Sequence, residues 1–119
     1  MIKMLTFLAS VAGPAVAQGY AVPSGLEVTL FDVITEEDSL IARYRFVAPD
    51  INIAAFDDVV DDFQILCETV ALPQLEWTTG DVVISYSAQE LRFGDIAPEV
   101  TQFFQPFSIQ DGRCIWEEH

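Results

Sequence analysis

Four aspartates stand in two adjacent pairs in the stretch FDDVVDDF, which covers residues 56–63. Asp57 and Asp61 are four residues apart, as are Asp58 and Asp62, so a helix would bring two carboxylates together at each pair. Carboxylates grouped in this way can share a weakly held cation. Calcium sites, however, take their ligands from a loop with alternate spacing and a glycine at the turn, and this stretch has neither. Cation binding by these four aspartates is therefore kept as an alternative, and the leading prediction includes no metal site.

An amphipathic helix over residues 53–71 is predicted to position these carboxylates. A helical wheel groups the apolar residues on one broad face, namely Phe56, Val59, Val60, Phe63, Leu66, Cys67 and Val70. It groups the acidic residues on the opposite face, namely Asp57, Asp58, Asp61, Asp62 and Glu68, with Ile65 among them. A solvated surface is the ordinary meaning of such a face. A second interpretation is a surface for a protein partner, formed by Asp57, Asp58, Asp61, Asp62 and Ile65.

Runs of β-branched and aromatic residues predict strands on both sides of the helix. LEVTLFDVI (26–34) and LIARYRFVA (40–48) precede it, after a loose start at QGYAVPSG. VVISYS (82–87), the extended or turning piece ELRFG (90–94) and the two arms of a hairpin around Asp111-Gly112 follow it. Alternation in LIARYRFVA puts Arg43 and Arg45 on one face of its strand. The order ββαββββ predicts an α+β fold, a two-layer sandwich with one long helix on a mostly antiparallel sheet.

The two cysteines, Cys67 and Cys114, are predicted to form one disulfide. An even number of cysteines in a small exported domain favours pairing, and there is no CxxC motif to favour redox or metal chemistry. The bond would join the buried face of the helix to the last strand. In the chain-entropy model, closing a loop of this length stabilises a fold by about 4 kcal/mol.

The first residues predict export. Residues 1–17, MIKMLTFLASVAGPAVA, combine Lys3, an apolar run and small residues at Ala15 and Ala17, which is the layout of a signal peptide cleaved after Ala17. The run is too short and interrupted for a membrane anchor. Residues 18–119 are then expected to form one domain, without membrane insertion, in the periplasm or outside the cell.

Charge narrows the classes of partner. The full chain has a net charge of −14, and residues 18–119 hold four arginines against 19 acidic residues, a net charge of −15. The only basic residues after Lys3 are Arg43, Arg45, Arg92 and Arg113. Such an acidic protein repels nucleic-acid phosphates and anionic lipids, so neither is predicted as a partner.

No catalytic set is apparent, and neither an enzyme nor a cofactor is predicted. Nucleophilic catalysis by serine or cysteine usually needs a base beside the nucleophile, and the sole histidine is His119, the last residue of the sequence. Among the aromatic residues, Phe103 and Phe104 are adjacent in a predicted strand and must face opposite sides. Core packing is the ordinary role of such residues, and the alternative interpretation is that one of the two is exposed as an anchor for a partner.

Two segments resemble a family of small exported bacterial proteins, found mainly in alphaproteobacteria and known as a domain of unknown function. The segments are ILCETVALPQL (65–75) and APEVTQFFQPFSIQDGRCIWE (97–117), with Leu-Cys-Glu running into Ala-Leu-Pro and a closing Asp-Gly-x-Cys-Ile-Trp-Glu. The resemblance implies paired cysteines and an exported location, and it implies no chemistry.

These observations predict an exported, acidic accessory or binding protein that acts through interaction with another protein. The acidic helix face and an aromatic strand edge are the two surfaces that a partner would use. The alternative function is that of a periplasmic cation-binding protein using the acidic helix face.

Overall fold

The computed structural model describes residues 18–52 and 56–118, and its strands form one six-stranded sheet. The strands follow one another across the sheet in chain order: β1 (Gln18–Tyr20), β2 (Val28–Glu36), β3 (Ile41–Val47), β4 (Gly80–Ser87), β5 (Gln102–Gln110) and β6 (Arg113–Trp116). Neighbouring strands are antiparallel except β3 and β4, which are parallel. The expected signal peptide, the first three residues of the predicted helix and His119 lie outside the described residues.

The predicted amphipathic helix is present between β3 and β4. It consists of α1 (Phe56–Leu66), one π-helical turn (Cys67–Ala71) and a final 3₁₀ turn (Leu72–Gln74). Two parallel strands require a crossover connection, and this helix supplies it. Its apolar face buries Val59, Phe63 and Leu66 against the sheet, where the ring of Phe63 packs edge-on at 4.9 Å from that of Tyr86.

The two central strands show why the sheet has one apolar and one polar face. In β3 and β4 the residues on the helix side are buried, namely Ala42, Tyr44, Phe46, Val82, Ile84 and Tyr86. The residues between them point to the other side because successive side chains of a strand alternate. That other side therefore presents Arg43 and Arg45 from β3, and Val83 and Ser85 from β4.

The hairpin and the disulfide both follow the sequence prediction. Asp111 and Gly112 connect β5 to β6 with positive φ angles of 53° and 73°, which is the backbone shape of a tight turn that suits the strand twist. Cys67 in the π-helical turn and Cys114 in β6 form a disulfide. The bond ties the end of the helix to the edge of the sheet.

The architecture is α+β as predicted, but it departs from the simple two-layer sandwich. The observed order is βββαβββ, and the sheet is mixed and curled. Residues 18–20 pair with β2 instead of forming a loose start. The segment ELRFG contains no strand and lies in the connection between β4 and β5. There, Ser87 and Arg45 donate side-chain hydrogen bonds to the carbonyls of Gln89 and Leu91, so those carbonyls are satisfied without sheet pairing.

Within residues 18–52 and 56–118, no helix combines the length and the apolar character needed to cross a membrane.

Candidate binding pocket

The four aspartates of the helix do not share one surface. Asp57, Asp58 and Asp61 are exposed, as predicted, whereas Asp62 is fully buried. The prediction that Asp62 belongs to the exposed acidic face is therefore wrong. A helical wheel separates two faces but does not show that the segment after β1 covers the flank of α1 where Asp62 lies.

Asp62 is the centre of a buried hydrogen-bond cluster. Its carboxylate accepts hydrogen bonds from the Ser24 amide at 2.8 Å, from the Ser24 hydroxyl at 2.6 Å and from the Tyr86 hydroxyl at 2.9 Å. Burial first, and then the neighbouring Asp62 carboxylate, raise the pKa of Tyr86 above its ordinary value. This cluster joins the segment after β1, helix α1 and strand β4, which is a structural role.

The acidic face that remains consists of Asp57, Asp58, Asp61 and the partly exposed Ile65. The described part of the chain contains no group of three or more acidic, cysteine or histidine side chains placed to hold a metal ion. Cation binding by Asp57, Asp58, Asp61 and Asp62 stays a prediction without support from the geometry. The loss of Asp62 from the surface leaves one Asp57–Asp61 pair at four-residue spacing.

A pocket of about 240 Å³ lies on the sheet face opposite α1. The alternation of β3 and β4 brings Arg43, Arg45 and Ser85 to its lining, and β5 adds Phe104. The loop between β4 and β5 closes one side. This loop spans residues 88–101 and contributes Leu91, Arg92, Phe93, Gly94 and Asp95. We refer to this site as the arginine–phenylalanine pocket.

A bulge in β2 places two side chains around Arg45. The register between β2 and β3 shifts between Leu30 and Asp32, which leaves Phe31 as the extra residue. A β-bulge puts two consecutive residues opposite one residue of the partner strand and redirects their side chains. Phe31 thus lies with its ring 4.9 Å from the Arg45 guanidinium, while Asp32 accepts a 2.6 Å hydrogen bond from Arg45 Nη1.

Arg45 also holds the loop that closes the pocket. Its Nη2 donates a 2.8 Å hydrogen bond to the Leu91 carbonyl. The side chain is only 11% exposed, and its charge is compensated by Asp32. The ring of Phe93 lies over both arginines, 5.1 Å from the Arg43 guanidinium and 5.5 Å from that of Arg45. Arg45 is therefore a structural cation that positions the loop and the aromatic wall.

Arg43 differs from Arg45 because part of its donor capacity is unused. Its Nε donates a 3.0 Å hydrogen bond to Glu36, and its side chain is 28% exposed. Within the residues that the structure describes, neither terminal nitrogen of Arg43 has a hydrogen-bond partner. The side chains of Ser85 and Gln102 also lack hydrogen-bond partners there. The pocket thus contains one partly shielded guanidinium and two neutral polar groups that are ready to receive a ligand.

Positive charge is concentrated at this pocket. Three of the five basic residues in the whole chain line it, namely Arg43, Arg45 and Arg92. Each has a carboxylate nearby, since Glu36, Asp32 and Asp95 lie 3.0, 2.6 and 3.9 Å from the respective arginines. The three arginines and the three carboxylates balance in formal charge, so an anionic group would meet less repulsion at this pocket than beside the acidic face of the helix.

Sequence reasoning found part of this site. It placed Arg43 and Arg45 on one strand face and put Phe103 and Phe104 on opposite sides of one strand, with exposure of one of them as an alternative to core packing. Phe104 is 54% exposed and lines the pocket, whereas the ring of Phe103 packs 5.3 Å from that of Phe56. It did not connect the arginines with a pocket. The sequence did contain a signal for the site. Of the four arginines after Lys3, two lie two positions apart in one predicted strand and therefore share a face.

Among the described residues, no hydrogen bond joins the Ser85 hydroxyl of this pocket to a base that could activate it. Asp95 lies beside Arg92, and the two other acids near the pocket are paired with arginines. Hydrophobic walls with a few oriented polar groups are typical of binding sites.

The fold and the pocket together define a disulfide-linked α+β domain with a cavity of about 240 Å³ on the sheet face opposite the helix. The chain belongs to a family of unknown function (DUF6497), whose model matches residues 5–119. This confirms the resemblance to a domain of unknown function. Comparison with curated proteins and with solved structures finds no match to either.

Proposed function

We propose that this protein is an exported, non-enzymatic binding protein that recognises a partner protein through the arginine–phenylalanine pocket. The observation that carries the proposal is the apolar rim of the pocket. Phe93 is 56% exposed and Phe104 is 54% exposed, on two elements that meet at the same cavity. Ile96, which is 92% exposed, follows in the same loop.

Physical chemistry favours a binding role for such a rim. Exposed aromatic residues around a concave site resemble the anchors that contribute most of the binding energy at protein interfaces. Arginine and aromatic residues are also enriched in the central part of interfaces, where charged residues of other kinds are depleted. Here Arg43, Arg45 and the exposed phenylalanines line the same cavity, so a partner side chain entering the pocket would contact both kinds of residue.

Two observations support export. Residues 1–17 have the pattern of a cleaved signal peptide. The Cys67–Cys114 disulfide is of a kind that persists in oxidising compartments, such as the periplasm or the exterior of the cell.

The acidic helix face is a second candidate surface for a partner. Asp57, Asp58 and Asp61 are exposed around Ile65, which is 38% exposed. A single-sign patch of this kind would attract a basic partner by long-range electrostatics. The two surfaces lie on opposite sides of the sheet, so they can be tested separately.

The test is affinity capture with the full chain, expressed with residues 1–17 and a C-terminal tag. A Phe93→Ser, Phe104→Ser variant is compared with an Asp57→Asn, Asp58→Asn, Asp61→Asn variant in native extracts. We expect a specific partner that the first variant loses and the second retains. The complex should persist at about 0.5 M salt, because a pocket contact is screened less than a surface charge. The mass of the recovered chain reports whether cleavage follows Ala17.

Two results would contradict the proposal. Loss of the partner only in the aspartate variant, together with loss at high salt, would move the interaction to the acidic helix face. The absence of any partner sensitive to either variant would remove protein binding as the function. Urea unfolding of both variants serves as the control that they are folded.

A further inference from the structure

We infer that the arginine–phenylalanine pocket binds a carboxylate that is attached to an aromatic or similarly bulky apolar group. This inference rests on the proposed function, since it specifies the group that the pocket accepts. Arg43 is assigned as the residue that binds the carboxylate, and the phenylalanine walls are assigned to the apolar group. The ligand chemistry is the same whether the group is the last residue of a protein partner or a free small acid.

The geometry of Arg43 fits a carboxylate. Glu36 occupies Nε, and both terminal nitrogens of Arg43 are without a partner in the described part of the chain. The two terminal N–H groups that point away from Cζ form a planar fork, which matches the two oxygens of a carboxylate in an end-on pair. Because Arg43 is only 28% exposed, such a pair would be screened less than one at the open surface.

The charges around the pocket select a single negative charge. A cationic ligand would meet Arg43 and Arg45, which already occupy positions over the rings of Phe31 and Phe93. A doubly charged anion such as phosphate would meet the nearby carboxylates of Asp32, Glu36 and Asp95. A monoanion can accept hydrogen bonds from the terminal N–H groups of Arg43, and these acids repel it less than they repel a doubly charged anion.

The size and lining of the pocket select an apolar body. Its volume of about 240 Å³ lies just below the usual range for sites that bind small molecules, about 300–1,000 Å³. The apolar lining comes from Phe31, Val83, Leu91, Phe93 and Phe104. An aromatic ring would fit such walls in an edge-to-face or offset arrangement.

Two neutral groups complete the site. The Ser85 hydroxyl and the Gln102 side-chain amide line the same pocket, and neither has a partner within the described residues. Either can donate a hydrogen bond to a second oxygen of the ligand, such as an amide carbonyl beside the carboxylate. An acylated aromatic amino acid carries all three features, namely a ring, a carboxylate and an amide carbonyl.

The direct test compares two probes of nearly the same size, one with a carboxylate and one with a neutral carboxamide in its place. N-acetylphenylalanine and N-acetylphenylalanine amide are titrated into the intact protein, and binding is followed by amide chemical shifts in β3, β4 and β5. We expect N-acetylphenylalanine to bind and to shift the amide signals of Ser85 and Gln102. Its amide should bind at least about tenfold more weakly. A tenfold difference corresponds to about 1.4 kcal/mol, within the range for hydrogen bonds to charged groups.

Variants identify the residue that carries the effect. Arg43→Gln should lower affinity for N-acetylphenylalanine to that of the amide. Arg113→Gln, which removes an exposed arginine of β6 outside the pocket, should leave it unchanged. Glu36→Gln removes the carboxylate that competes for Arg43 and should raise affinity severalfold. Asp58→Asn removes the same charge on the helix side of the sheet and should have little effect.

A second set of probes distinguishes the two sources of the carboxylate. A pentapeptide that ends in phenylalanine with a free carboxylate is compared with 3-phenylpropionate. Tighter binding of the peptide supports the C-terminus of a protein, whereas equal or tighter binding of 3-phenylpropionate supports a free acid and contradicts recognition of a protein partner at this pocket. Both results support the assignment of the carboxylate to Arg43.

Two outcomes would overturn the inference. Equal affinity for N-acetylphenylalanine and its amide would remove the carboxylate from the recognised group. No binding of either probe, while partner capture still depends on Phe93 and Phe104, would refute this ligand class and leave the proposed function standing. If capture is also independent of these phenylalanines, the proposed function fails as well.

Discussion

The buried carboxylate of Asp62 joins three parts of the fold, because it lies on α1 and accepts hydrogen bonds from Ser24, after β1, and from Tyr86 in β4. Ser24 is 38 positions earlier in the chain, and a contact at this separation has no local signature in a helical wheel. The sequence therefore misplaced Asp62 on the exposed face. Local patterns were more reliable, since alternation in β3 correctly separated Arg43 and Arg45 from the buried residues of the same strand.

The first prediction concerns Asp62. Replacing Asp62 with alanine should lower the free energy of unfolding by about 3 kcal/mol, because it leaves the Ser24 and Tyr86 donors without their acceptor in a buried site. Asp58→Ala, in the exposed part of the same helix, should change it by less than about 0.5 kcal/mol. Urea unfolding at neutral pH measures both. Equal stability of the two variants would show that the cluster contributes little.

At the scale of elements, the strands could be predicted from alternation, and their arrangement could not. The parallel pairing of β3 and β4 is consistent with a long crossover helix, but the sequence does not specify which strands become neighbours. The bulge at Phe31 was also not predictable, because the residues LEVTLFDVI read as an uninterrupted strand. The bulge nevertheless determines the pocket, since it places both Phe31 and Asp32 around Arg45.

The second prediction concerns the start of β4. Gly80 has a φ angle of 125°, and a Cβ atom at this position would lie 2.7 Å from the Leu40 carbonyl oxygen. That carbonyl accepts the hydrogen bond from the Asp81 amide with which the parallel pairing begins. Gly80→Ala should therefore lower the free energy of unfolding by about 3 kcal/mol, from backbone strain and from steric overlap with the backbone.

Gly25→Ala is the matched control for Gly80→Ala. Gly25 also has a positive φ angle, of 80°, but nothing lies within 4 Å of a Cβ atom added there. Gly25→Ala should lower the free energy of unfolding by about 1 kcal/mol, the cost of a positive φ angle at a residue other than glycine. Thermal or urea unfolding of the two variants gives the comparison. A cost for Gly80→Ala no greater than that for Gly25→Ala would mean that Leu40 moves aside easily.

At the scale of the whole molecule, charge and cross-linking are the dominant features. A net charge of −14 opposes compaction through self-repulsion. The disulfide acts in the other direction by limiting the unfolded chain. The charge can be read directly from the sequence. The sequence also predicted the pairing of Cys67 with Cys114, because two cysteines permit a single intramolecular bond. The sequence did not predict that Arg43, Arg45 and Arg92 would line one pocket, because Arg92 lies there only through the course of the loop of residues 88–101.

The third prediction concerns this disulfide. Cys67 and Cys114 are 47 positions apart. Replacing both with alanine should lower the free energy of unfolding by about 4 kcal/mol, the chain-entropy value for a loop of this length. Urea unfolding with and without a reducing agent tests it. The reducing agent should destabilise the parent protein and leave the double variant unchanged, and a parent protein indifferent to reduction would contradict the prediction.

The single parallel pairing divides the sheet into two meanders of three strands each. The arginine–phenylalanine pocket lies across their junction. Phe31, Arg43 and Arg45 come from the first meander, whereas Ser85, Phe93 and Phe104 come from the second and its loop. A bound ligand would touch both meanders, so occupancy would favour their association over any state in which they separate. Recognition and the cooperativity of the whole domain would then be coupled through one junction.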